Sequence, residues 1–317
     1  MGMKRDNFNA LPEKEQVYRL RQLAEAALEK FGFDQYRLTF LQHLMNTTFR
    51  LDCDQGQYLV RIHRAKTRTA VASELVWLEA LTHETTVPVQ IPQRSLDGEM
   101  IVVGKPVGIS ESYPVTVLAW LKGEILSQDR RSPHHFYRLG RLVAKLHRHT
   151  QHWKPRFELD RPVYDSTSVV GTDSVFGAGG VTYQRVSEEV QGNLQLLHER
   201  LQEVEQRLGK NLEQFGLIHS DLSFGNVLFT SDAVMPIDFD DCGFGYYLYD
   251  LAVILAGPWE RPGFQQRGDA LLQGYQEICD LPDEHLNLIP TLMAMRASSL
   301  GQWDRASTLL HTSYADL

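Results

Sequence analysis

Cysteine is scarce and scattered: Cys53, Cys242 and Cys279 are the only three in 317 residues. An odd number with no paired spacing argues against a disulfide framework and a zinc site, and it fits a reducing cytoplasm. Long apolar runs are missing too. The longest, residues 248–259, is interrupted by Asp250 and is too short to span a bilayer, so no membrane association is expected. The opening MGMKRDNF has basic residues with no apolar run behind them, so a signal peptide is not expected. Asp6 stands where a myristoylation signal would want Ser or Thr. No GxxxxGK[ST] occurs, which sets aside the P-loop nucleotide hydrolases. Excess positive charge is absent as well. The net charge is −8 and the pI is about 5.8, which argues against a nucleic-acid partner. An acidic balance suits a cationic substrate, but it also suits the solubility of an ordinary cytosolic enzyme.

What is present is a chain with 43% hydrophobic residues over 317 positions, enough for a large core and two lobes. Its centre is the stretch Leu217 to Ala252, LIHSDLSFGNVLFTSDAVMPIDFDDCGFGYYLYDLA. Short apolar runs (Leu217-Ile218, Val227-Leu228-Phe229 and Met235-Pro236-Ile237) flank His219, Asp221, Asn226 and Asp238, and the pattern reads as strand, loop, strand, turn, strand. Strand ends anchored in a core hold polar side chains at fixed separation. Asp221, Asn226 and Asp238 supply the oxygen groups that phosphoryl transfer from a nucleotide needs. One carboxylate takes or orients the proton of the attacking hydroxyl, and an amide oxygen with a second carboxylate holds magnesium against the phosphates.

The run His219-Ser220-Asp221-Leu222, with Asn226 five residues after Asp221, resembles the catalytic loop of the protein-kinase superfamily. Ile237-Asp238-Phe239-Asp240 and Tyr249-Asp250-Leu251-Ala252 narrow the likeness to the aminoglycoside phosphotransferase, choline kinase and homoserine kinase family. That resemblance implies an α+β, bilobal protein-kinase-like fold with an antiparallel-sheet N-lobe and a mainly helical C-lobe. It implies ATP and Mg2+ as cofactors and a small-molecule hydroxyl as acceptor. Asp221 would be the catalytic base or hydroxyl-orienting group, with Asn226 and Asp238 on the metal. His219 would brace the loop, and Asp250 would be a buried carboxylate accepting backbone hydrogen bonds. Asp240 and Asp241 could add to the metal or substrate site or stay solvated. Only eleven residues separate Asp238 from Asp250, leaving no room for an activation loop, and no Ala-Pro-Glu follows. This favours a small-molecule kinase.

The rest of the chain is read in order. Residues 12–31 form a helix with Val17, Leu20, Leu23, Ala24, Ala27, Leu28 and Phe31 on one stripe, ended by Gly32. Residues 36–63 form three short strands, the last two joined by a turn at Asp54-Gln55-Gly56. In such kinases the turn between the first two strands covers the nucleotide phosphates. Here it is residues 43–47 and has no glycine, so the side chains of Asn46 and Thr47 are the candidates for that contact. Arg61 stands where the family has a phosphate-binding lysine, and Glu74, on a helix over 71–81, matches the carboxylate that pairs with it. A strand over 115–121 leads to the expected adenine-contacting segment, with Ala119 and Leu121 as the candidate positions.

The boundary falls near Gly123, giving 1–122 as the nucleotide-binding lobe and 123–317 as the catalytic and acceptor-binding lobe. Residues 132–149 read as a helix capped by Ser132 and Pro133, and the five histidines nearby have no metal-ligand spacing. Residues 157–181 read as loop, and the glycine-rich 177–180 is either a cover over the cleft or a connector. A helix over 184–208 carries a seven-residue apolar beat that fits packing within the lobe or a coiled-coil face. Further helices fall at 264–278, 285–300 and 303–310, with Trp259, Glu260, Trp303 and Asp304 as potential acceptor-pocket residues. Two rival readings are a nucleotide-binding pseudokinase, suggested by the missing glycine loop and Arg61, and a Ser/Thr protein kinase of the bacterial stress-response type.

Overall fold

The structure, a computed structural model, describes residues 8–168 and 187–317. The glycine-rich 177–180 and the first residue of the apolar beat, Val186, lie outside them. Contacts divide the chain into two compact units. The first holds residues up to 83, 89–122 and 157–160, and the second holds 84–88, 123–156 and 161–317.

The first unit is helix α1 (Glu13–Lys30) on an antiparallel sheet of β1 (Tyr36–His43), β2 (Asn46–Cys53), β3 (Gly56–His63), β4 (Val102–Gly104) and β5 (Tyr113–Ala119), with α2 (Arg68–Glu84) between β3 and β4. The order across the sheet is β1-β2-β3-β5-β4. Strand alternation decides which side chains go where. Val60 and Ile62 join Phe49, Leu51, Val115 and Val117 in a core with Leu20, Leu23, Ala24 and Leu28 of α1. Arg61 and His63, one residue out of phase, therefore stand on the other face. The β5 strand ends at Ala119, two residues sooner than its apolar run suggests.

The second unit is mostly helical: α3 (Pro133–His152), α4 (Glu188–Leu208), α5 (Tyr247–Ala256), α6 (Phe264–Gln276), α7 (Asp283–Leu286), α8 (Ile289–Ser299) and α9 (Trp303–Leu310). Its β structure is short: β6 (Val163–Tyr164), β7 (Phe215–Ile218), β8 (Val227–Phe229), β9 (Val234–Pro236) and β10 (Gly243–Tyr246). Two of these escape sequence reading. The β6 strand has two residues, and β10 reads GFGY, with too few apolar positions to show a period. The β10 strand pairs antiparallel with β7 and parallel with β6. The seam of α4, including Leu194, Leu197, Leu201, Val204 and Leu208, is buried, and α4 contacts α8 and α9 of the same unit. That favours packing within the unit over a coiled-coil face.

Helices α3 and α6 meet closely because each lacks a side chain at the crossing. A Cβ at Gly140 would overlap the Leu271 carbonyl oxygen, and one at Gly274 would overlap the Tyr137 carbonyl oxygen. Gly274→Ala is expected to force the helices apart and to lower stability by about 1–3 kcal/mol. Denaturant unfolding measures this, and an unchanged midpoint would show that the crossing is loose.

Candidate active site

The central loop of the second unit hangs from one carboxylate. Asp250, fully buried in the first turn of α5, accepts the backbone N–H of His219 on Oδ2 at 3.0 Å and that of Ser220 on Oδ1 at 2.7 Å. Ser220 has φ +65°, a conformation that costs a residue with a Cβ about 1 kcal/mol. Its N–H bond to Asp250 and its hydroxyl, which donates to the Asp241 carbonyl at 2.6 Å, hold it there. The His219 ring is buried, with Nε2 3.1 Å from the Ile237 carbonyl and its centroid 4.6 Å from that of the tilted Phe239 ring. The brace expected of His219 is thus a link from the loop to the residue before Asp238.

The Asn226 amide donates from Nδ2 to the Asp221 carbonyl at 2.9 Å and to Asp221 Oδ2 at 2.7 Å. This orients the amide, and its Oδ1 accepts no hydrogen bond from the described residues. In the β8–β9 hairpin Val227 pairs with Pro236, and the Ile237 N–H donates to the Asn226 carbonyl at 2.9 Å. Pairing thus continues one step past the strands, and Asp238 follows the residue opposite Asn226. Asp238 has φ +64°, so the chain turns sharply at the carboxylate. An amide oxygen with no donor among the described residues, and the Asp238 carboxylate that follows the hairpin, are hard-oxygen groups of the kind Mg2+ takes. Asp240 is buried, with Arg161 donating to its carbonyl, whereas the Asp241 side chain is exposed.

Two participants are hard to see in the sequence. His147 of α3 is fully buried, with Nε2 3.0 Å from Asp250 Oδ2 and Nδ1 3.0 Å from the Tyr275 hydroxyl, whose pKa burial pushes well up. It fixes the Asp250 side chain from behind. A scan for metal-ligand spacing passes over it because its partner is a carboxylate 103 residues away. Arg296 of α8 pairs with Asp221 Oδ1 through Nη2, the side chains being 19% and 25% exposed. The Tyr249 phenol, close to both charges, has its pKa raised by burial, and Arg296 opposes the shift. A single cation inside the apolar run PTLMAMRA was the available signal.

In the first unit, Arg61 donates from Nη1 to Glu74 Oε1 at 3.0 Å, with side chains 4% and 1% exposed. These two are a buried pair, not surface charges. Asn46 and Thr47 are the first two residues of β2, just past the turn. Both are buried, and the Thr47 hydroxyl lies 2.7 Å from His43 Nδ1, while Leu44 and Met45 occupy the exposed tip. Of the two adenine candidates, the Ala119 N–H is spent on the Ile91 carbonyl at 2.9 Å, whereas the Leu121 N–H makes no hydrogen bond among the described residues.

A five-stranded antiparallel sheet with a buried Arg–Glu pair, and a helical unit presenting this loop, define a small-molecule kinase of protein-kinase-like fold. Residues 37–286 match the phosphotransferase enzyme family, and the chain belongs to that family. The amicoumacin kinase of Bacillus subtilis (strain 168) is 24% identical over 288 residues, covering 86% of this chain and 81% of that protein. The homoserine kinase of Rhizobium meliloti (strain 1021) is 27% identical over 256 residues, covering 78% and 72%. The solved structure of a microcompartment-associated aminopropanol kinase aligns with TM-score 0.75 at 26% identity, over 93% of this chain and 94% of that one. Amicoumacin kinase hAmiN, in complex with AMP-PNP, Ca2+ and Ami, aligns with TM-score 0.78 at 18% identity, over 96% and 97%. Among the described residues, no helix is long and apolar enough to cross a membrane.

Two stability measurements follow from these contacts. Asp250→Asn removes a charged acceptor from the loop amides and is expected to cost about 1–3 kcal/mol. Glu74→Ala leaves Arg61 buried without this carboxylate and is expected to cost about 3 kcal/mol. Denaturant titration reads both, and a change below about 0.5 kcal/mol in either would contradict the role given to that carboxylate.

Proposed function

We propose that the protein transfers the γ-phosphate of ATP, with Mg2+, to a hydroxyl of a small molecule. The single observation that carries this is the arrangement of Asp221, Asn226 and Asp238. The Asn226 amide is tied to Asp221 through its nitrogen, which leaves its oxygen for a cation. Asp221 orients the acceptor hydroxyl and takes its proton. Because the transition state of such transfers is loose, holding the oxygen in line matters at least as much as removing the proton. Asn226 Oδ1 and the Asp238 carboxylate would hold the ion, which neutralises charge on the phosphates. Arg296 keeps the Asp221 carboxylate in one orientation and puts a positive charge beside the position of the acceptor oxygen.

In the proposed division of labour, residues 1–122 bind the nucleotide and residues 123–317 carry catalysis and the acceptor. Arg61, steadied by Glu74, serves the phosphates in place of a lysine. Its fork geometry suits two phosphate oxygens at once. Leu121 offers its backbone N–H to adenine. The acceptor belongs to the range spanned by aminoglycosides, amino alcohols, homoserine-like amino acids and sugars. The names of the relatives, which include homoserine and aminopropanol kinases, support an acceptor that bears both a hydroxyl and an amine.

ADP release is to be measured with Mg2+-ATP against a panel of such alcohols. Asp221→Ala is expected to lower turnover by about 10²–10⁴-fold while the unfolding midpoint stays near the parent value. Asn226→Ala and Asp238→Ala are expected to raise the Mg2+ concentration needed for half-maximal rate. Full activity in Asp221→Ala would remove that residue from the mechanism. Nucleotide binding with no phosphorylated product from any acceptor would turn the reading toward a pseudokinase.

A further inference from the structure

The second unit contains a small pocket between the start of α3 and the loop joining α5 to α6. Its volume is about 50 Å³, and Arg131, Arg261, Arg267, Gln128, Phe136 and Pro258 line it. That is room for roughly four water molecules, close to the size of one phosphate or carboxylate group. Three arginines thus line one cavity, and no Asp or Glu is among the described residues that line it. None of the three arginines has an ion-pair partner among the described residues. Nearby carboxylates are engaged elsewhere: Glu260 with Arg305 Nε at 3.1 Å, and Asp269 with Gln265 Nε2 at 3.0 Å.

Two of the arginines, Arg131 and Arg267, are also held in place. The Arg131 guanidinium lies 4.7 Å from the Phe224 ring centroid, and its Nε donates to the Leu126 carbonyl at 3.1 Å. The Arg267 guanidinium lies 5.9 Å from the Phe136 ring centroid, and its Nη2 donates to the Pro262 carbonyl at 2.7 Å. Phe136 and Phe224 pack on each other at 4.7 Å, so the two rings form one wall behind two cations. Arg267 Nε is buried with no hydrogen-bond partner among the described residues. The hydrogen bonds above use one donor on Arg131 and one on Arg267, and Arg261 spends none. Burial, and then the like charge of Arg261, press the Arg131 pKa downward. Like charges close together with unused donors are unfavourable until an anion joins them.

We infer that this pocket is a binding site for a compact oxyanion, a phosphate or carboxylate group gripped by Arg131, Arg261 and Arg267. The planar forks match the oxygens of either group. Phe224 stands three residues after Asp221, so an occupant would press on the same loop that carries the proposed base. The inference rests on the cavity and on charges with no ion-pair partner among the described residues, and it stands whether or not the kinase reading does.

The test uses the full chain with inorganic phosphate as the probe, a saturating non-hydrolysable ATP analogue and chloride at matched ionic strength. Phosphate stabilises most proteins slightly by exclusion from their surfaces, so the comparison with a variant decides the matter. About 20 mM phosphate is expected to raise the melting temperature by about 2–4 °C beyond the chloride control. Arg261→Gln with Arg267→Gln is expected to abolish that excess. Both changes keep polar side chains, and Arg261 is exposed, so the variant should fold; its circular dichroism and melting point in chloride check this. Should the double variant fail to fold, Arg261→Gln alone and a crystal soaked in selenate, read by its anomalous signal, replace it. An equal rise in parent and variant, no rise at all, or no selenate in the pocket would overturn the site. Kinetics then separate the two sources of the group. Phosphate competing against the acceptor assigns the oxyanion to the acceptor itself. Phosphate changing kcat without competing assigns it to a free effector.

Discussion

The Asp250 carboxylate is the contact on which the central loop of the second unit depends. It takes two successive backbone N–H groups, and those bonds hold Ser220 in a left-handed conformation that its side chain disfavours. With His219 and Ser220 fixed, the chain leaves the core at Asp221 in one direction. The His219 ring then ties the loop to Ile237, and the hairpin pairing brings Asn226 beside the turn at Asp238. A fully buried carboxylate is costly unless its lone pairs are used. Here backbone amides and His147 use them, so the cost of burying Asp250 is offset by the same bonds that shape the loop.

Much of this was legible in the sequence. The three apolar strands around HSDL, the apolar stripe of α1 and the alternation in β3 each have a period that a core enforces, and each forms where its period places it. Arg61 and Glu74 could be paired because the resemblance supplied the partner. What could not be read falls into two kinds. His147 and Arg296 act through contacts across 103 and 75 residues of sequence, and no local pattern encodes those pairs. The placement of Asn46 and Thr47 was hard to read for a different reason. Asn46 and Thr47 are common turn residues, but the first two positions of β2 are buried, and Thr47 turns inward to His43.

The local electrostatics of the second unit depart from what the composition of the whole chain suggests. The chain carries a net charge of −8, yet the carboxylate proposed as base is paired with Arg296, and three further arginines line a pocket with no Asp or Glu among the described residues that line it. Net charge describes the whole surface and its solubility. Local field at a site is set by the few groups that face it. Arg296 beside Asp221 is one such group, a positive charge within a chain of negative net charge.

The claim on which the rest turns is that the amide of Asn226 and the carboxylate of Asp238 hold a divalent ion against the nucleotide phosphates. The most direct measurement is a crystal of the protein grown with AMP-PNP and Mn2+ and recorded at the manganese absorption edge. An anomalous peak bonded to Asn226 Oδ1 and to the Asp238 carboxylate is the expected result. A nucleotide-bound crystal with the manganese elsewhere, and those two side chains turned from the phosphates, would contradict it.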